Sequence, residues 1–250
     1  SLCYRISPMI VLFTDFGPSG TYVGQMQAVL AQQAPGTAII DLFHDLPSHD
    51  IRAAAYLLSA YTLGFPPGTV HVCVVDPGVG SERRALIVKA DHRWYVGPDN
   101  GLFHVLARRA RDLECHEIRW RPAPLSASFH GRDLFAPVAA QLTHGLMPDS
   151  VPVALSPPLS DWPEDLPQVL YIDHFGNAIT GLRAECLGRD VRLRIGGADL
   201  AYARTYSDVR AGQGFWYENA NGLVEIAVNQ ARASDRLGIA VGDSIGMYDA

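Results

Sequence analysis

Apolar residues in the first half of the chain form short continuous runs that alternate with segments of helical period. The runs Met9 to Thr14 and Val70 to Val75 are typical of strands that are buried on both faces. Helices are predicted over Tyr22 to Gln32 and, with Asp50 as N-cap, from Arg52 onward. Further strands are predicted over Ala38 to Leu42, Ala85 to Lys89 and Trp94 to Val96, and further helices over Gly101 to Arg109 and Asp133 to Thr143. This alternation predicts an α/β domain with a mostly parallel central sheet, in which ligands bind beyond the carboxyl ends of the strands.

The pattern changes after about Gly145. The segment Met147 to Pro167 holds six prolines and shows no hydrophobic period, so residues 146–167 are predicted to be a linker. Short β-rich runs separated by Gly, Asn and Asp turns follow, and they predict a small barrel or sandwich. These runs are Val169 to Ile172, Val191 to Ile195, Leu200 to Ala203, Phe215 to Tyr217, Leu223 to Val228 and Ser244 to Tyr248. We therefore expect an α/β domain over residues 9–160 and a smaller β domain over residues 168–249, with residues 1–8 outside both.

Composition narrows the classes of partner. The 250 residues are 48% hydrophobic and carry a formal net charge of −6 without a basic run, so nucleic acid is not an expected partner. No apolar run reaches the ~18 residues of a membrane helix, and the first residues lack the pattern of a secretory signal. The four cysteines are scattered without a C-x-x-C pair, which favours buried reduced thiols over a metal site. We expect a soluble, cytoplasmic protein.

Two acidic residues, Asp15 and Asp76, directly follow predicted strands. Each alone could cap a turn, but both would face one crevice if their strands are neighbours in a parallel sheet. The turn after Asp76 has neither the order of a phosphate-binding P-loop nor a following helix, and no strand leads into G-x-G-x-x-G. Arg83 stands seven residues after Asp76 across this Gly-rich turn. The spacing allows the turn to fold back and pair the two side chains.

Histidines offer two further candidates. His130 stands before Gly131 and a predicted helix start, where its side chain could reach the same crevice. The competing site is the cluster around His44 and His49, because His and Asp are metal ligands. Its residues lie in a loop, Asp50 is already needed as an N-cap, and no third cluster is evident, so we favour a structural role there.

In the second domain, Asp173 and Asn177 flank a turn that follows a strand. They could simply form a hairpin turn, or they could clamp the ammonium and carboxylate of an amino acid. Tyr206 and the run Phe215 to Tyr217 could stack on a base or cation, although aromatic residues in a small β domain often belong to the core.

Ordered motifs over nearly the whole chain resemble one family, the S-adenosylmethionine (SAM) hydrolases, or SAM hydroxide adenosyltransferases, which are related to fluorinating and chlorinating enzymes that attack the same substrate. The motifs are Thr14-Asp15-Phe16-Gly17, Tyr22-Val23-Gly24, Val74-Val75-Asp76-Pro77-Gly78-Val79-Gly80, Gly97-Pro98-Asp99-Asn100-Gly101, Phe129-His130-Gly131-Arg132-Asp133, Phe175-Gly176-Asn177 and Asn221-Gly222-Leu223-Val224-Glu225-Ile226-Ala227.

The resemblance implies an N-terminal α/β domain, a C-terminal β-barrel, and a homotrimer whose active sites lie where one subunit's first domain meets a neighbour's second. Because sulfur would leave SAM as a neutral thioether, we expect no metal and no cofactor. It implies a catalytic set of Asp76, Arg83 and His130, with Arg84 as the alternative arginine. Asp15 is expected to bind the ribose hydroxyls, Asp173 and Asn177 the methionine end, and Tyr206 to stack on adenine. The remaining substrate contacts are expected from Phe16, Tyr22, Gly131, Phe175, Asn221 and Val228.

The implied reaction is hydrolysis of SAM to adenosine and methionine, with Asp76 orienting water at the ribose C5′ carbon. A halogenase is the nearest alternative, but a carboxylate beside the attacking position would repel a halide. A SAM- or adenosine-binding module without turnover and a metallohydrolase using His44 and His49 are the others.

Overall fold

The computed structural model describes residues 9–157 and 161–249, so the expectations for residues 1–8 and for residues 158–160 of the predicted linker lie outside the described residues. Contacts divide the chain into two compact units. The first unit contains the residues up to Ser59 and those from Gly64 to the gap at 158–160. The second contains Ala60–Leu63 and the residues from Asp161 onward.

The first unit is built on a seven-stranded sheet of order β2-β1-β3-β5-β4-β6-β7. Strand β1 pairs in parallel with β2 and β3, and β3 pairs in parallel with β5, whereas β4 pairs antiparallel with β5 and β6. The register aligns Thr14 with Val74, so the residues after β1 and β3 emerge at the same edge. The strands are β1 (Met9–Thr14), β2 (Ala38–Phe43), β3 (Val70–Val74), β4 (Ala85–Ala90), β5 (Arg93–Pro98), β6 (Leu113–Ile118) and β7 (Ser150–Pro152).

Two strands of this sheet were not predicted. The β6 sequence, Leu-Glu-Cys-His-Glu-Ile, has few apolar residues because most of its side chains are only partly buried or exposed on an outer part of the sheet. Strand β7 lies inside the segment predicted to be a linker and pairs antiparallel with β6 through Glu117 and Val151. A three-residue edge strand has no hydrophobic period to detect, so the sequence pattern did not reveal this strand inside the predicted linker.

The helices of the first unit are α1 (Tyr22–Gln33), α2 (Ile51–Tyr61), α3 (His104–Arg109) and α4 (Ala136–Thr143). Asp50 caps α2 as expected, since the Ala53 N–H donates to its Oδ1 at 2.9 Å. Before α4, residues Gly131–Phe135 form a π-helical turn, in which the Ala136 N–H reaches the Gly131 carbonyl. The predicted helix start at Asp133 therefore lies within a wider turn. Over the described ranges, no helix has both the length and the apolar character needed to cross a bilayer.

The second unit contains two antiparallel sheets, of order β12-β13-β9-β8 and β11-β10-β14. Side chains from both sheets share one core, which includes Val169, Leu193 and Trp216. Strand β9 was not predicted because its sequence, Ala-Ile-Thr-Gly-Leu-Arg, follows a turn motif directly and is interrupted by glycine. The expected fold class, an α/β domain followed by a smaller β domain, is confirmed. The elements are β8 (Leu166–Ile172), β9 (Ala178–Arg183), β10 (Val191–Ile195), β11 (Ala198–Leu200), β12 (Gly214–Glu218), β13 (Leu223–Val228), α5 (Ala233–Leu237) and β14 (Gly246–Asp249).

Candidate active site

A buried ion pair lies just beyond the carboxyl end of β3. Arg83 returns toward Asp76 across the turn, and its Nε lies 3.0 Å from each carboxylate oxygen, with Nη2 donating as well to Oδ2. The side chains are 3% exposed for Asp76 and 10% for Arg83. The guanidinium thus fixes the orientation of the carboxylate and balances its charge, as the sequence spacing predicted.

A glycine allows this turn to fold so tightly. Gly80 has φ of +81°, and a Cβ there would lie 2.5 Å from the Ala127 carbonyl oxygen. Only glycine combines this left-handed conformation with so close a backbone approach. The turn that carries Arg83 therefore packs directly on the segment that leads to His130.

His130 precedes the π-helical turn and completes the set. Its Nδ1 lies 3.1 Å from Arg83 Nη2, so Arg83 stands between His130 and Asp76 and bonds to both. A guanidinium only donates hydrogen bonds, so Nδ1 is the acceptor and the ring proton is on Nε2. Burial lowers the pKa of His130 from its ordinary value, the Arg83 cation lowers it further, and the Asp76 carboxylate opposes both effects.

This environment predicts a pH dependence. Protonation of His130 at Nδ1 breaks its bond from Arg83, so kcat/KM should fall on the acid side with an apparent pKa below 6.5. Because an unfolded chain binds this proton more readily, the stability that the neutral ring contributes is also lost as pH drops below 6.5.

The measurement is kcat/KM from about pH 4 to about pH 8 for the wild type, His130→Gln and His144→Gln. His144 is an exposed histidine after α4 that bonds the Gln33 carbonyl, so it serves as the matched control. The acid limb should persist in His144→Gln and disappear from the residual activity of His130→Gln. A limb with its midpoint above pH 6.5 would contradict the assignment.

Asp76 and His130 line a cavity of about 310 Å³, which suits a small organic ligand. Its aromatic wall consists of Phe16, Tyr22 and Phe129, whose ring centroids lie 5.0 to 5.9 Å apart. Gly131 also faces it, and a Cβ there would lie 3.2 Å from the Phe16 ring. The full lining is Asp15, Phe16, Tyr22, Ser48, His49, Val74, Asp76, Val79, Ser128, Phe129, His130 and Gly131.

Asp15 lies on this cavity as predicted, and its Oδ2 accepts a hydrogen bond from the His49 backbone N–H at 2.9 Å. His49 adopts φ of +63°, which non-glycine residues rarely do outside constrained sites. Ser48 and His49 were not predicted to belong to this site. Their position in the loop before α2 was the one indication in the sequence. The left-handed backbone that turns the His49 N–H toward Asp15 cannot be predicted from the residue type.

The competing histidine cluster has other partners. His44 bonds Thr14 Oγ1 through Nδ1 and Asp41 Oδ1 through Nε2, both at 2.8 Å. Within the described ranges, no group of three or more His, Cys, Asp or Glu side chains is placed to hold a metal ion. The alternative arginine, Arg84, pairs with Asp99 at 2.8 Å instead of Asp76.

Some of the site residues predicted in the second unit are bonded to one another. Asp173 and Asn177 close a turn, since the Asn177 N–H donates to Asp173 Oδ1 at 2.9 Å. The Asn177 side chain also bonds the Tyr206 hydroxyl at 2.7 Å. The structure thus brings Asp173 and Asn177 together, as the clamp hypothesis and the turn hypothesis both require, and Tyr206 bonds to the same asparagine.

The other residues predicted to bind substrate in this unit differ in exposure. Phe175 is 71% exposed at the tip of the turn, and Asn221 is exposed beside β13. Val228 is 1% exposed and belongs to the core of the unit, so its side chain is not available to a ligand there.

Known proteins share both the sequence pattern and the architecture of this chain. Two sequence models match the chain, the SAM hydroxide adenosyltransferase N-terminal domain over residues 10–152 and the C-terminal domain over residues 167–246. A Thermus thermophilus protein named (R)-S-adenosyl-L-methionine hydrolase is 43% identical, covering 93% of this chain and 96% of the relative. A protein of the same name from Salinispora arenicola is 39% identical, and the match covers 96% of this chain and 97% of the relative.

Solved structures agree. An uncharacterized conserved protein from Thermotoga maritima superposes with a TM-score of 0.85 at 34% identity, covering 96% of this chain and 99% of the other. A conserved hypothetical protein from Thermus thermophilus superposes with a TM-score of 0.74 at 37% sequence identity. The match covers 97% of this chain and 100% of the other. With both domain models matched in order along the chain, the protein belongs to the SAM hydroxide adenosyltransferase family.

Proposed function

We propose that this protein hydrolyses SAM at the ribose C5′ carbon and releases adenosine and L-methionine. The observation that carries the proposal is the cavity in which Asp76, oriented by Arg83, lies with His130 and Asp15. The names of the relatives support the same reaction.

The chemistry suits a site built from these side chains. A water oxygen forms a bond to C5′, the C5′–S bond breaks, and its electron pair goes to sulfur. Methionine leaves as a neutral thioether, so the leaving group needs neither a proton nor a metal. The water proton passes to Asp76, which retains lone pairs beyond those that Arg83 occupies.

Arg83 and His130 act on geometry and charge. Arg83 holds the carboxylate in one orientation, and positioning of reactants supplies a large part of such rate enhancements. His130 lines the cavity with its proton on Nε2, from which it can donate to the attacking oxygen or to a ribose oxygen.

The remaining contacts follow from the chemistry of the substrate. Asp15 accepts from the ribose hydroxyls, and Phe16, Tyr22 and Gly131 enclose the sugar. Asp173, Phe175 and Asn177 bind the methionine end, whereas Tyr206, Asn221 and the backbone at Val228 contact adenine. We place these two groups together in a homotrimer, where the first unit of one subunit meets the second unit of a neighbour.

The relatives are named for one epimer at sulfur, and we extend that preference to this protein. The pure protein should convert (R)-SAM to equal amounts of adenosine and methionine, and in H₂¹⁸O the adenosine 5′-hydroxyl should carry the label. Chelator and chloride should leave the products unchanged.

Each alternative gives a different result in this assay. Formation of 5′-chloroadenosine would indicate a halogenase, and loss of activity with chelator would indicate a metallohydrolase. Tight binding of SAM without turnover of either epimer would indicate a binding module.

A further inference from the structure

Glu225 is a buried carboxylate to which the proposed reaction assigns no role. It lies on β13 and is 6% exposed. All its described hydrogen bonds come from neutral donors: the Tyr217 hydroxyl and Asn177 Nδ2 on Oε1, and Asn219 Nδ2 on Oε2. Such a network specifies the orientation of each member, because an unsatisfied partner in a buried site is costly.

One of these donors is locked by the backbone. Asn219 Oδ1 accepts the N–H groups of Asn221 at 2.9 Å and Leu223 at 3.0 Å. The amide of Asn219 therefore cannot turn over without losing both bonds. Its Nδ2 must face Glu225 Oε2, at 3.0 Å.

The second amide, Asn177, is oriented by Glu225 itself. Asn177 Nδ2 donates to Glu225 Oε1 at 3.1 Å and to the Tyr206 hydroxyl at 2.7 Å, which uses both amide hydrogens. A carboxylate only accepts, so the nitrogen has to face Glu225 and the Asn177 oxygen has to turn away from it.

We propose that Glu225 is a positioning residue, which fixes the Asn177 carboxamide with its oxygen toward the ligand, so that this position selects a hydrogen-bond donor of the substrate. This inference rests on the proposed function. Besides the ribose hydroxyls, which the proposed function assigns to Asp15, the substrate offers two such donors, the α-ammonium of the methionine part and the 6-amino group of adenine.

Tyr217 supports this arrangement. Burial raises its pKa, and its bond to the Glu225 carboxylate raises it further. The hydroxyl consequently stays protonated and continues to donate to Oε1.

The lock on Asn219 makes Glu225→Gln a directed test. In this variant the Gln oxygen has to accept from Asn219, which places the new NH₂ group against Asn177. Asn177 then has to turn over and present its NH₂ group to the ligand. We expect KM for SAM to rise about 10- to 100-fold while kcat changes less than about 3-fold, because the chemistry takes place on the first unit's residues.

Glu218→Gln is the matched control. Glu218 stands on neighbouring β12, is exposed, and bonds Arg189 on the surface. Its KM and kcat should equal those of the wild type. Thermal unfolding of all three proteins identifies a loss that is only structural, since a smaller folded fraction lowers the apparent kcat and leaves KM unchanged.

Two substrate analogues identify the donor. One lacks the α-amino group of the methionine part, and the other carries hydrogen in place of the adenine 6-amino group. For the wild type, kcat/KM should be about 10-fold or more lower with one of these analogues than with SAM. For Glu225→Gln, kcat/KM with that analogue should be no lower than its kcat/KM with SAM.

Three results would overturn the proposal: an unchanged KM in folded Glu225→Gln, a fall in kcat alone, or a wild type indifferent to both analogues. The comparison of the two analogues with the wild type can overturn the proposal even if the variant does not fold. If the wild type hydrolyses neither epimer of SAM, the proposed function fails instead, and that outcome is seen before any variant is compared.

Discussion

Replacement of Asp76 by Asn should lower kcat by about 10³- to 10⁴-fold. General base assistance contributes about 10²- to 10⁴-fold in enzymes, and this variant removes the base at nearly constant volume. It also removes positioning, because the new NH₂ group and the Arg83 guanidinium are both donors and cannot bond each other. KM should change little, since Asp76 acts on water.

The matched control is Asp99→Asn, which disrupts a neighbouring ion pair between buried Asp99 and partly exposed Arg84, away from the cavity lining. Both variants should lose stability, and only Asp76→Asn should lose turnover. Single-turnover formation of adenosine and the thermal midpoint separate the two effects. Retention of kcat within about 10-fold in folded Asp76→Asn would refute a base role for this residue.

The first-unit site could be predicted largely because its signals are local. Asp15 and Asp76 each follow a buried apolar strand, and parallel pairing of β1 with β3 brings their backbones to one edge. The pairing of Arg83 with Asp76 followed from spacing across a glycine-rich turn. The choice of Arg83 over Arg84 did not follow from spacing. It depends on the two partners of Arg84, which are Asp99 and Ser156, and both are distant from it in sequence.

The second unit was less predictable because its polar groups depend on long-range pairing. Glu225 meets Asn177 only because β13 pairs with β9, and β9 itself was not predicted. Sequence patterns report burial along one element, whereas the orientation of a carboxamide is set by donors on other strands. The π-helical turn after His130 escaped detection for a related reason, since it differs from the start of an α-helix only in hydrogen-bond spacing.

Replacement of Arg83 should separate charge from geometry. Arg83→Lys keeps a positive charge, but one ammonium group cannot reproduce the two-sided contact of Nε and Nη2 with Asp76 and the bond to His130. We expect kcat to fall about 10²-fold or more with little loss of stability. Arg83→Met should fall further and should also destabilise the fold by about 3 to 5 kcal/mol, because it leaves the buried Asp76 carboxylate unpaired.

The same pair of variants tests the assignment of His130. Arg83→Met removes a cation that lowers the His130 pKa, so the acid limb of kcat/KM should move up toward pH 6.5, whereas Arg83→Lys should keep more of the downward shift. Arg84→Met is the matched control, because it removes the adjacent guanidinium that bonds Asp99 and not Asp76. An acid limb that moves equally in Arg83→Met and Arg84→Met would show that net charge, and not the bond between Arg83 and His130, determines this titration. Since Arg83 bonds both Asp76 and His130, its loss should change turnover, stability and the acid limb of kcat/KM together. No substitution of Arg84 should change all three.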